Sequence, residues 1–282
     1  MNRFFAVFFL TTSFFYVNAI DIAITIDDHP LPSGNLFSCR DRTHALVEAC
    51  DKHDVKAAFF CVGKWCQEDE QNLLTYLNDS GHFLANHSFS HFHSSELSCQ
   101  EFELELQKTE KILEPYSLMK KWFRHPGLDR GNQKHWGGSR KKALALSDIL
   151  KTNGYLEGYV TINTFDWHVD YSLQQALLKG KQVNYDNLKK MYVSLIKEWC
   201  DCFISLYKKV EVTHTLLLHA NDLNALFLDD ILNMIKESGW NLVSPERAFD
   251  GIERPKRAAG GPRSLDRKQI DKLIEASDIF SD

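Results

Sequence analysis

Ile22-Ala23-Ile24-Thr25-Ile26-Asp27-Asp28-His29-Pro30 runs apolar and β-branched, stops on two adjacent carboxylates and breaks at a proline. That pattern predicts a buried strand whose far end delivers two acids into a cleft. A strand with no polar alternation is covered on both faces, as in a parallel sheet packed with helices. In such sheets the chemistry gathers just past the carboxyl ends of the strands. Adjacent like charges repel, so Asp27 and Asp28 need a cation or a raised pKa to coexist.

Working outward, further apolar runs at 55–61, 82–85, 119–123, 155–162, 213–218 and 240–243 read as strands. Helical stretches at 40–53, 68–79, 139–152, 185–209 and 225–238 alternate with them. Ser98-Cys99-Gln100-Glu101 is a capping box opening another helix, with Phe102, Leu106, Thr109 and Leu113 as its stripe. About seven alternations of strand and helix predict an α/β fold with a parallel sheet, closed or nearly closed. No internal repeat is present.

The chain has 282 residues, 44% hydrophobic and 25% charged, with a net charge of −5. It is long enough for one large domain, and it lacks the basic footprint of a nucleic-acid binder. Residues 1–19 carry Arg3, an apolar run and the small residues Val17-Asn18-Ala19, which is a secretory signal pattern with cleavage after Ala19. A secreted or periplasmic protein, with no membrane attachment after cleavage, is the expectation. Export permits disulfides. The seven cysteines (Cys39, Cys50, Cys61, Cys66, Cys99, Cys200, Cys202) are an odd number, and they read as buried small residues with room for one or two bridges. The catalytic domain is expected over 20–250. Residues 251–282 read as a Pro/Gly-rich linker and a short terminal helix packed on the barrel.

His87 and His91 are spaced i, i+4, which on a helical turn brings two imidazoles to one point, as in transition-metal sites. They follow a short strand and so lie at the same sheet end as Asp28. Two histidines and one carboxylate leave coordination positions open, the mark of a catalytic rather than a structural metal. His93 points elsewhere. Three more strand ends carry reactive types: Arg124-His125-Pro126, Asp166-Trp167, and Leu217-Leu218-His219.

Thr25-Ile26-Asp27-Asp28, His87-Ser88-x-x-His91, Arg124-x-Pro126, Asp166-Trp167 and Leu217-Leu218-His219, in this order, resemble the five motifs of the polysaccharide deacetylase family, the NodB-like carbohydrate esterases. The resemblance covers about residues 20–249. It implies a distorted (β/α) barrel of about seven parallel strands and metal-dependent removal of acetyl groups from N-acetylated sugars of an extracellular or cell-wall glycan. By the same resemblance Asp28, His87 and His91 hold the metal, most often Zn2+ with Co2+ or Ni2+ as substitutes. The metal polarises the carbonyl and acidifies water. Asp27 is then the base, with Arg124 favouring its charged form, and His219 the acid protonating the leaving amine, with Asp166 orienting it. Trp167, Leu217 and Pro126 are the implied substrate contacts.

Three departures stand out. His29 follows the acids where the family often has glycine, so it would narrow the mouth of the site. His125 adds an imidazole to the third motif, and Asn163 stands where the fourth often has aspartate. The insertion at 128–138, with His135 and Trp136, either shapes a substrate groove or is a surface loop. A NodB-like hydrolase of a non-sugar amide and an inactive glycan-binding relative are the alternatives.

Overall fold

A computed structural model describes residues 20–67, 72–207, 212–250, 255 and 266–281. The signal-like residues 1–19 and nearly all of the expected linker lie outside the described residues.

The fold is built on β1 (Asp21–His29). Its alternate residues serve two cores. Ile22, Ile24 and Ile26 join the large cluster under the helices. Ala23 faces the concave side with Ala58, Phe60, Ala85, Trp122 and Tyr159. The apolar run therefore reflects burial on both faces. Around β1 lie β2 (Ala58–Cys61), β3 (Phe83–Asn86), β4 (Met119–Phe123), β5 (Leu156–Glu157), β6 (Ile162–Asn163), β8 (His214–His219) and β9 (Asn241–Val243). They form one curled parallel sheet in the order β5-β4-β3-β2-β1-β8-β6, with β9 beside the start of β1.

Helices α1 (Cys39–Lys52), α2 (Gly63–Gln67), α3 (Leu73–Asp79), α4 (Cys99–Leu113), α5 (Arg140–Thr152), α7 (Tyr185–Ser205) and α8 (Asp222–Glu237) accompany the sheet. Ser98 and Glu101 form the expected capping box of α4.

The expected strand at 155–162 is divided. β5 pairs with β4, β6 pairs with β8, and the residues between cross the gap separating the sheet's two edges. Gly158 N donates to Phe123 O, Thr161 N donates to Thr215 Oγ1, and Thr215 Oγ1 donates to Tyr159 O. These bonds close the barrel where a continuous ladder does not. Gly158 permits the crossing because a Cβ there would lie 2.5 Å from the Phe60 ring.

Helix α6 (Asp166–Leu178) is absent from the sequence reading, although Asp166, Val169, Leu173 and Ala176 make a helical stripe. It starts at Phe165 with no side-chain cap, so the usual start signal is missing. No disulfide forms among the described residues; Cys50, Cys61, Cys66 and Cys200 are buried in the core instead. The terminal helix α10 (Arg267–Ala276) buries Ile270 and Ile274 in the main core. After it, β10 (Phe280–Ser281) pairs antiparallel with β7 (Gln182–Val183).

Gly158→Ala forces the crossing segment off the Phe60 ring. Overpacking of this kind should cost about 1–3 kcal/mol, read as a lower urea midpoint with unchanged slope. An unchanged midpoint would show that the close approach is dispensable.

Candidate active site

Strand alternation places Thr25 and Asp27 on the concave side of β1, beside Thr215, Leu217 and His219 of β8, and Asp27 is paired in register with His219. In a regular strand Asp28 would point the other way, into the helical layer. It does not, because Asp28 takes a left-handed conformation (φ 64°) and the register with β2 slips between Ile26 and His29. A bulge re-aims a side chain in this way, and Asp tolerates the left-handed region better than most residues. Both carboxylates therefore face the same cleft.

The two histidines arrive differently from the helical turn expected of them. Residues 87–91 form an irregular loop after β3, with Ser88 (φ 64°) and His91 (φ 62°) left-handed. His87 Nδ1 lies 2.9 Å from the Arg124 carbonyl and so donates to it. That leaves Nε2 facing the acids, 3.4 Å from Asp28 Oδ1 and 3.6 Å from Asp27 Oδ2. His91 Nε2 stands 2.9 Å from the same Asp28 Oδ1. The ligand atoms of Asp28, His87 and His91 lie within 4.8 Å of one another. Asp28 Oδ1 is buried without a well-aligned hydrogen bond, although two imidazoles face it. A carboxylate oxygen and two imidazole nitrogens converging on one point, with that oxygen lacking a proper donor, fit a divalent cation. Burial opposes charge on Asp28, yet His87 and His91 hold its pKa well below the usual range. Burial likewise opposes charge on His91, and Asp28 raises its pKa nonetheless.

Arg124, at the end of β4, is wholly buried against Asp27. Its Nη1 donates to Asp27 Oδ1 at 2.6 Å and to Thr25 Oγ1 at 2.8 Å, and Nε donates to Gly158 O at 2.8 Å. The guanidinium also lies 3.9 Å from the Phe60 ring centroid. Asp27 thus has a buried guanidinium partner inside the sheet.

His219 Nδ1 pairs with Asp166 Oδ1 at 2.7 Å, which leaves Nε2 for the cleft. Asp166 is buried at the start of α6 and also accepts from His219 N and Asn224 Nδ2, both at 2.7 Å, and from Thr164 Oγ1. Burial disfavours the imidazolium, but Asp166, then Asp28 and Asp27, raise the His219 pKa to about 10. Burial also disfavours charge on Asp166, while His219 and Asn224 keep its pKa low. Sequence reasoning missed Asn224; a fully buried asparagine within the apolar stripe Leu223, Phe227, Leu228 and Ile231 was its signal.

The other residues singled out in the sequence divide. Leu217 is buried on the concave face beside Thr25, and Pro126 is buried at the start of a short 3₁₀ turn. Trp167 is partly exposed, with the Arg267 guanidinium 4.6 Å from its ring centroid. His29 does not narrow the mouth. It is fully buried, edge-on to Phe59, and its pKa falls to about 3 through burial and Arg42. His125 is also buried, bonded to Ser94 Oγ and stacked on Phe102. The insertion is tied down: Asp129 accepts from Ser95 N and Oγ, and Trp136 stacks on His93 at 3.5 Å. A small cavity of about 50 Å³ lies beside Arg124, bounded by Leu128, Arg130, Glu157 and Tyr159; Asp27, Asp28, His87, His91 and His219 do not line it.

The polysaccharide deacetylase family model matches residues 17–143, a span holding Asp27, Asp28, His87, His91 and Arg124. Over that span the chain is similar to the polysaccharide deacetylases. The uncharacterized protein YlxY of Bacillus subtilis is 26% identical over 206 residues, covering 73% of this chain and 52% of that protein. A peptidoglycan-N-acetylglucosamine deacetylase of Bacillus cereus is 29% identical over 96 residues, 34% of this chain and 32% of that protein. The chain thus spans about half and about a third of these two relatives. Among solved structures, a CE4 family pseudoenzyme from Bacillus anthracis superposes with a TM-score of 0.54 at 22% identity, covering 80% of this chain and 63% of that one. Its likeness is one of fold: the same curled (β/α) barrel.

Because the folded pKa of His219 is raised, its pairing with Asp166 stabilises the protein fully below the ordinary value of about 6.5. That stabilisation is lost as pH rises through about 10. The stability difference between the unmodified chain and Asp166→Asn should therefore be largest near pH 6 and narrow towards pH 10, read by urea unfolding across a pH series. A pH-independent difference would contradict the charged pair.

Proposed function

We propose that this chain is an exported, metal-dependent hydrolase that removes acetyl groups from N-acetylglucosamine-type units of a glycan. The single observation carrying the reading is geometric. The Asp28–His87–His91 cluster stands beside Asp27, which is paired with Arg124 and in register with His219. A divalent metal, Zn2+ first and Co2+ or Ni2+ next, would supply Lewis acidity towards the acetamide carbonyl and acidify water when bound to Asp28, His87 and His91.

The chain's own residues do the rest. Asp27 is paired with Arg124 through Oδ1 and takes a proton from the attacking water at Oδ2, the oxygen that Arg124 does not grip. His219 is cationic at neutral pH, and its Nε2 delivers a proton to the departing amine. Asp166 fixes the imidazole and balances its charge through Nδ1. Leu217 offers an apolar surface to the acetyl methyl. The peptidoglycan deacetylase among the relatives supports a glycan substrate. The likeness to a pseudoenzyme makes a glycan-binding protein without turnover the second reading. The presence of both Asp27 and His219 stands against it.

The purified chain, supplied with Zn2+, Co2+ or Ni2+, should release acetate from chitooligosaccharides or peptidoglycan. No release with any of these metals, while small non-sugar amides turn over, transfers the function to those amides. No turnover of either class sinks the hydrolase reading. Asp27→Asn should lower kcat by roughly 10²–10⁴-fold while metal binding by calorimetry persists. Full activity in that variant refutes the base.

A further inference from the structure

The loop carrying the two histidines lacks the support its shape requires from its own sequence. It has no helical hydrogen bonds, and two non-glycine residues, Ser88 and His91, hold left-handed conformations. Such backbone persists only where the surroundings over-determine it. Three neighbours do so. The strand side supplies Cys61 O, which accepts from His87 N at 2.9 Å. The start of α2 supplies Gly63 N and Lys64 N, which donate to Ser88 O at 3.0 Å and Phe89 O at 2.8 Å. The third neighbour is one carboxylate oxygen, Oε2 of Glu105. It accepts from Ser90 N at 2.6 Å, Ser90 Oγ at 2.7 Å, Phe89 N at 3.1 Å and Ser88 Oγ at 3.3 Å. Ser88 Oγ in turn accepts from His91 N at 3.1 Å, so the chain of bonds runs from Glu105 to the backbone of the second histidine.

We propose that Glu105 is a positioning residue for the metal ligands, gathering the backbone and hydroxyl donors of residues 88–90 so that His87 and His91 aim at one ion. The inference rests on the metal-site reading above. Glu105 suits the task for two physical reasons. It sits on α4, which is anchored on either side of it by the buried Phe102, Leu106 and Thr109, so the acceptor is fixed in space. It is also an anion facing several donors at once, and charge-assisted hydrogen bonds are the stronger kind. A second tie holds the same junction: Asn86 Nδ2 donates to Leu106 O while Asn86 Oδ1 accepts from Ser88 N. With the loop so fixed, Nε2 of both imidazoles reaches Asp28 Oδ1 without contribution from a helical turn. Groups that orient ligands from behind typically change metal affinity about 10–100-fold when removed.

The test is zinc binding by calorimetry, on the full chain, for the unmodified protein, Asp28→Ala, Glu105→Gln and Leu113→Ala. Glu105→Gln keeps the shape and loses the charge, so its amide oxygen offers the same donors only a neutral, weaker acceptor. It should weaken zinc binding about 10–100-fold and alter the visible spectrum of the cobalt-loaded protein. Leu113→Ala lies on the same helix and is fully buried. It should lower the melting temperature yet leave zinc affinity in place, which separates positioning from general destabilisation. Unchanged affinity and cobalt spectrum in Glu105→Gln, with binding abolished in Asp28→Ala, overturn the role of Glu105 and leave the metal site standing. Equal loss of affinity in Leu113→Ala overturns it as well. Absence of zinc binding in the unmodified chain removes both the inference and the site.

Discussion

A guanidinium with no exposed surface meets a carboxylate 3% exposed at the centre of the curled sheet. Taking either ion out of water alone costs several kcal/mol, so neither Arg124 nor Asp27 could occupy its place without the other. Arg124 then spends its remaining donors on Thr25 of β1 and on the Gly158 and Tyr159 carbonyls of the crossing segment. Its own carbonyl receives Nδ1–H of His87. One side chain and its backbone thus join the central strand, the closure of the barrel and the histidine loop. Ion pairs this deeply buried are poor sources of stability compared with apolar packing.

The cleft depends equally on a break in regularity. Two successive strand residues cannot serve one face, yet Asp27 and Asp28 do, because the bulge at Asp28 rotates the second carboxylate through the plane of the sheet. The positive ends of the arrangement, Arg124 and His219, each rest on one acid, and the two imidazoles of the 87–91 loop rest on Asp28. The repulsion implicit in the paired aspartates is answered by three partners, Arg124, His87 and His91.

Much of this was legible in the chain. Apolar runs ending on Asp, His or Arg locate the strands and their functional ends, because burial on both faces leaves an unmistakable composition. The Ser98–Glu101 capping box and the Ser139 cap mark helix starts by local chemistry alone. What escaped was non-local. The break at Gly158 follows from the position of Phe60, nearly a hundred residues away. The α6 start has no side-chain cap to announce it. An i, i+4 histidine spacing suits a helical turn and a left-handed loop alike, and the loop is held by partners on β2, α2 and α4 that lie outside its own sequence. His29 looked like a rim residue because it follows the acids where the family it resembles often has glycine, whereas the backbone after the bulge turns it inward.

The last helix has a bearing on where the functional unit ends. Arg267 lies over the Trp167 indole, His168 pairs with Asp271, and β10 zips to β7 directly after α6. Motif positions alone would close the domain near Asp250. A protein cut there would expose the apolar seat of Ile270 and Ile274 and strip the outer flank of the helix whose first residue, Asp166, orients His219. The tail is therefore a clasp on the His219 side of the cleft, tying α6 and β7 to a segment that lies beyond the final motif.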